Sequence, residues 1–161
     1  MISRTYKVLP GVGIQIRHKG LFNLNKLYSD MKKWFKDNGY YFSEKEQGIK
    51  DREKGREIKQ KWEASREIDD YARFIIKVNF FFEDLNKVDH MDKGYVKITF
   101  FADVLLDYKE KWQTNGLYKF LFFVYNNYII YHKIKEVYDV KLKQEVDGLH
   151  NLTKERLGLI K

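Results

Sequence analysis

The sequence contains no cysteine, and that one absence excludes a disulfide framework, a thiolate zinc site and a cysteine nucleophile together. Nothing argues for an oxidising compartment, so the expectation is a cytoplasmic protein. The start, Met-Ile-Ser-Arg-Thr-Tyr-Lys, lacks the apolar core of about seven or more residues that a secretory signal needs. Without such a signal, the sequon Asn151-Leu152-Thr153 reads as a chance match. A bilayer-spanning run of roughly 20 apolar residues is also missing. The most apolar stretch, 117–131, is interrupted by Lys119, Asn126 and Asn127 and is expected to be a buried helix.

Catalytic and ligand-binding signatures are missing as well. The four histidines, His18, His90, His132 and His150, never fall into a spacing that places two ligands on one helix face. Asp84, Asp89, His90 and Asp92 gather in one predicted turn, but Val88 and Asp89 occupy places where a calcium loop needs a ligand and a glycine. Asp103 with Asp107, and Glu63 with Glu67, are carboxylate pairs four residues apart on strands, about 13 Å and too far to act on one bond. The segment Pro10-Gly11-Val12-Gly13, which holds the only proline, matches neither the dinucleotide fingerprint nor the phosphate loop. No serine has the G-x-S-x-G context of a hydrolase. The sequence therefore predicts a protein that is not an enzyme, and it implies no metal and no cofactor.

What remains is one domain's worth of chain. The 161 residues can bury a substantial core, and residues 1–148 are expected to form a single α+β domain followed by a short helical tail at 149–161. The net charge of +8 is uneven: residues 1–38 carry eight basic side chains against Asp30 and Asp37. A basic surface formed by Arg4, Lys7, Arg17, Lys19, Lys32, Lys33 and Lys36 is the first functional candidate, with nucleic acid as its partner.

Periodicity sets the elements. A first strand over 4–19 is interrupted at Pro10-Gly11. A helix capped by Asn23 or Asn25 runs to Asp37 with Leu24, Leu27, Tyr28, Met31, Trp34 and Phe35 at helical spacing, and Asn38-Gly39 ends it. A short strand at 40–47 precedes a charged stretch, 49–57, expected to be a solvated and locally disordered loop. Three long segments then alternate with period two: 58–68, 71–83 and 95–108. In 71–83 every even position is apolar (Ala72, Phe74, Ile76, Val78, Phe80, Phe82), and in 95–108 so are the even positions from Val96 to Leu106. The turns at Asp69-Asp70 and 86–94 are too short for a parallel crossover, so a twisted antiparallel meander of four to five long strands is predicted. After a linker at 109–116 comes a long aromatic-rich helix, apolar on nearly every side through Ile130 and narrowing to Ile134, Val137, Leu142, Val146 and Leu149, with Gly148 its first strong breaker.

This order of strand, helix, four antiparallel strands and long C-terminal helix resembles in outline the helix-grip folds, over about residues 5–145. The resemblance implies a curved sheet wrapping a long helix around an apolar ligand cavity. The chain lacks two of that fold's strands and shares no sequence motif with it.

Both faces of the central strands hold apolar residues. Tyr71, Ile75 and Phe81 on one strand, and Tyr95, Phe101 and Leu105 on the next, stand where a one-faced sheet has polar groups, and an apolar second face calls for a cover. The N-terminal helix is the expected cover. A second subunit is an alternative, giving a homo-oligomer or a protein partner, and a nucleic-acid base stacked beside Arg73, Lys77 and Lys97 is another. The leading functional expectation is a non-enzymatic interaction or assembly protein, self-associating through Tyr71, Ile75, Phe81, Tyr95, Phe101 and Leu105 and through Ile134, Val137, Leu142 and Val146 of the long helix. Nucleic-acid binding by the N-terminal basic set, and carriage of a hydrophobic small molecule between sheet and helix, are the alternatives.

Overall fold

A computed structural model of the chain describes residues 4–106 and 116–160. Most of the linker expected at 109–116 and the Asp103–Asp107 pairing fall at least partly outside the described residues, as do the side chains of Arg4 and Ile134. The fold is α+β, a curved antiparallel sheet with helices on one face. Its strands are β1 (Arg4–Lys7), β2 (Ile14–Phe22), β3 (Tyr41–Arg52), β4 (Gly55–Glu67), β5 (Ala72–Val88) and β6 (Met91–Leu106). The order across the sheet is β1-β6-β5-β4-β3, with β2 also paired to β6. β1 runs along Asp103 to Leu106 and β2 along Asp92 to Phe100, so the two share one edge, broken by the elbow at Pro10-Gly11. Every pairing is antiparallel.

The strands are longer than their alternation suggests because bulges reverse its phase. On β5 the inward residues are even-numbered up to Phe82; an irregularity between Glu83 and Asn86 then makes Leu85 the buried one. One extra residue in a strand moves all that follow to the opposite face. Beyond it, β5 and β6 continue to a two-residue turn at Asp89-His90, both with positive φ (47° and 69°), as a mirror-image hairpin turn requires. The broad turn expected over 86–94 is therefore mostly strand. The expected loop at 49–57 is corrected in the same way: β3 bulges between Glu44 and Glu46 and pairs with β4 down to Arg52 opposite Gly55.

α1 (Leu24–Asp37) begins where the Asn23 side chain accepts from the Lys26 amide at 3.0 Å, and Gly39 ends it at φ +75°. Buried Asp92 of β6 accepts from the Leu24 amide at 2.9 Å. That bond ties the helix start to the sheet. From Gly116 to Arg156 the backbone is helical without a break: α2 (Gly116–Val124), α3 (Tyr131–Lys133) and α4 (Val140–Arg156), joined by wider π-helical turns at Tyr125–Ile130 and Ile134–Asp139. At about 1.5 Å per residue the rod is roughly 60 Å long.

One core lies between the sheet and the two helices. Leu27, Met31 and Phe35 of α1 and Leu142, Val146 and Leu149 of α4 are fully buried against Trp62, Phe74, Ile76, Phe82, Ile98 and Phe100. Each such side chain contributes on the order of 1.5–3 kcal/mol. Two expectations are thereby corrected. α1 covers the same face as α4, not the second face, because its apolar stripe completes the core begun by the even-numbered residues. The helix packed on the sheet is the later half of the rod, whereas Leu117, Phe120 and Phe123 are more than half exposed. Nor does the helix stop at Gly148. A helical glycine costs only about 1 kcal/mol, and the burial of Leu149, Thr153 and Leu157 outweighs it.

Candidate functional site

Among the described residues no helix covers the second face of the sheet, and cross-strand register makes it a grid. One row reads Gly48, Lys59, Phe81, Lys97, Arg17 from β3 to β2. The next outward row is Gln47's neighbour Glu46 with Lys61, Asn79, Thr99 and Gln15, and the row after it holds Glu63, Lys77 and Phe101. Ile75, Phe81, Tyr95, Phe101 and Leu105 are all half-buried here, whereas the expected Tyr71 precedes β5 and packs against the core cluster and Tyr125 instead. Lysine stems help to screen them: the Lys59 ammonium lies 5.8 Å from the Phe81 ring centre, in the manner of amphipathic side chains at apolar surfaces.

Two hollows open on this face. One, about 720 Å³, is lined by Lys45, Lys59, Lys61, Asn79 and Phe81 among others. The second, about 390 Å³, sits beside the β1–β2 elbow and is lined by Lys7, Pro10, Lys61, Lys77, Asn79 and Phe101 among others. Lys61 and Asn79 belong to both, so the hollows adjoin. Gly13 makes the elbow possible: its φ is +74°, and a β-carbon there would sit 2.7 Å from the Phe100 carbonyl oxygen and 3.0 Å from the Phe101 ring. A third hollow of about 710 Å³, at the hairpin end, includes Lys19 and Tyr95 but also Glu83 and Asp84.

The N-terminal basic set is split by the fold. Lys7, Arg17 and Lys19 are exposed on the shared β1–β2 edge. Arg17 stands opposite Lys97, Lys19 opposite Tyr95 and Lys7 opposite Asp103. Lys32, Lys33 and Lys36 are on α1, in the layer on the other side of the sheet. Lys32 pairs with Glu44 at 2.6 Å and lies 5.4 Å from the Trp62 ring centre. The set therefore does not form one contiguous patch.

On the long helix the expected contact residues also separate. Val137 is half exposed, but Leu142 and Val146 are sealed in the core, which removes those two from any interaction surface. The exposed apolar residues lie earlier: Leu117, Phe120, Leu121, Phe123 and Tyr128, with Val137 and Val140 beyond. Their being apolar on nearly every side of the helix was the available signal, and its meaning depended on whether the sheet had room for them. The rod passes the Asp69–Tyr71 turn, where Tyr125 meets the Tyr71 ring edge-on at 5.9 Å, Tyr138 donates to Asp69 and Lys133 approaches the same carboxylate at 3.9 Å. Burial pushes the Asp69 carboxyl up, but donors from Tyr138 and from the Tyr71 and Ala72 amides outweigh it and hold it below its usual range.

Asp92 caps α1 and pairs with Lys87 at 3.0 Å. Among the described residues, no three His, Asp or Glu side chains converge as metal ligands would, and no helix is long and apolar enough to cross a membrane. Comparison of the chain with protein-family models, with curated proteins and with solved structures finds no match.

Proposed function

We propose that the protein is a non-enzymatic assembly protein that self-associates by pairing the exposed apolar part of its long helix with the same segment of a second copy. The observation that carries this reading is the exposure of Leu117, Phe120, Leu121, Phe123 and Tyr128 together, at 41–73%. A contiguous apolar surface of this kind is costly on a monomer and typical of an interface. Leu117, Leu121, Val124 and Tyr128 recur at spacings of three and four, one stripe along the helix.

Charge favours an antiparallel second copy. From Gly116 to Lys135 the helix carries Lys119, Lys133 and Lys135 and no carboxylate, and the first exposed acid is Glu136. A two-fold pair centred between Asn127 and Tyr128 brings the Lys119 end of each copy level with the Glu136 end of the other and opposes the two helix dipoles. The outer sheet face suits a second copy less well, because a two-fold contact would set its lysine rows against themselves. Sedimentation equilibrium tests the proposal. A dimer that becomes monomeric on Phe120→Asp with Phe123→Asp is expected, and a wild type that stays monomeric at high concentration would overturn it.

A further inference from the structure

We infer that the outer face of the sheet is a second, independent binding surface, a platform for single-stranded nucleic acid on which Phe81 and Phe101 stack bases and Lys59, Lys77, Lys97 and Arg17 hold the backbone. The two rings lie on the adjacent central strands. Phe81 is directly opposite Lys97, and Phe101 directly opposite Lys77, so each ring has a cation as its cross-strand neighbour. Such neighbours are about 5 Å apart at Cβ. Along the strands the rings are offset by four residues, roughly 13 Å, which suits two non-adjacent bases.

The row between them is polar. Asn79, flanked by Lys61 and, across the buried Thr99, by Gln15, offers its amide to base edges, which an unpaired strand presents and a duplex hides. The two hollows meet along this row at Lys61 and Asn79, one holding Phe81 and the other Phe101. They form a track that runs from β3 to the β1–β2 elbow.

Charge separates this occupant from others. Among the described residues, Lys77, Lys97 and Arg17 have no carboxylate partner, whereas Lys61 pairs with Glu46 at 3.0 Å. Three cations outside any ion pair, with Glu63 the cross-strand neighbour of Lys77, stand beside two half-buried rings and match a ligand that is a polyanion with flat apolar faces. An acidic peptide would use the cations and leave the rings idle.

The test is fluorescence anisotropy of the full chain with a labelled 15-nucleotide oligouridylate, against the matching duplex and polyglutamate. Preference for the single strand is expected, with log affinity falling against log salt at a slope of roughly −3 for four phosphate contacts. Phe81→Ala with Phe101→Ala should weaken binding by about tenfold or more. Because that variant also changes a half-buried surface, Lys77→Glu with Lys97→Glu, one exposed and one half-buried, serves as a second probe and should abolish binding while leaving the thermal melt in place. Lys33→Ala with Lys36→Ala on α1 should change nothing. No binding at low salt, equal binding to polyglutamate, or binding lost only with the α1 lysines would each overturn the inference. Because the helix variant Phe120→Asp with Phe123→Asp leaves this face intact, failure of self-association and failure of nucleic-acid binding are read separately.

Discussion

Gly94 of β6 lies so close to Glu83 of β5 that a β-carbon on it would sit 2.8 Å from the Glu83 carbonyl oxygen. On the other side of β5, Gly55 of β4 is in the same position: its β-carbon would be 2.7 Å from the Asp84 carbonyl carbon. Two glycines thus flank the bulge at Asp84, whose φ is +54°, and the Asn86 amide fastens it by donating to the Lys54 carbonyl at 2.8 Å. Gly94→Ala is predicted to destabilise the fold by about 1–3 kcal/mol through overpacking against backbone that cannot retreat. A lowered melting temperature, by roughly 2–4 °C per kcal/mol, is the readout.

α4 is pinned to the sheet by Glu145. Arg66 donates to one of its carboxylate oxygens at 2.5 Å and Tyr40 to the other at 2.5 Å, with the guanidinium 4.9 Å from the Tyr40 ring centre. Burial, and then the bond to Glu145, hold the Tyr40 phenol far above its ordinary range. Glu145→Ala strands both donors in a part-buried site and should cost about 1–3 kcal/mol. Denaturant unfolding measures the loss, and Glu145→Gln, which keeps one acceptor, should lose less.

His150 gives the fold a pH dependence of definite sign. Burial beside the Phe100 ring, reinforced by Lys154 and opposed by Asp147, lowers its pKa below 6.5. The unfolded chain therefore takes up the proton first, so the contribution of His150 is fully present above pH 6.5 and is lost as pH falls through the folded value. Urea midpoints measured between pH 7 and pH 5 should fall for the wild type, and fall less for His150→Gln.

Much of this architecture is legible in the sequence. The even-numbered apolar files of β5 and β6, the Asn23 cap and the Asn38-Gly39 stop all operate over a few residues. The bulges at Glu44 to Glu46 and Glu83 to Asn86 hide the strand ends, because alternation breaks its phase there while pairing continues. The platform row Lys59, Phe81, Lys97, Arg17 draws on four strands and exists only once those bulges fix the register. The apolar stretch at 117–131 was visible, but the core was already filled by α1 and α4. Volume decided its placement, and volume is a property of the assembled sheet.

Helix polarity can be tested by charge. Lys119→Glu should weaken self-association by placing like charge level with Glu136 at both ends of the pair, an effect of about 0.2–1 kcal/mol at exposed sites. Lys119→Glu combined with Glu136→Lys should restore it. Sedimentation at low and high salt follows both effects.

The absence of native cysteine makes disulfide trapping the most direct measurement of the proposed helix pairing. A single cysteine at Tyr128, close to the two-fold axis, brings its own copy within the roughly 7 Å that a disulfide can span, so oxidation of Tyr128→Cys should give a covalent dimer. Leu117→Cys, far from the axis, should not. Cross-linking at position 117 without position 128, or at neither position, would contradict an antiparallel assembly through this helix.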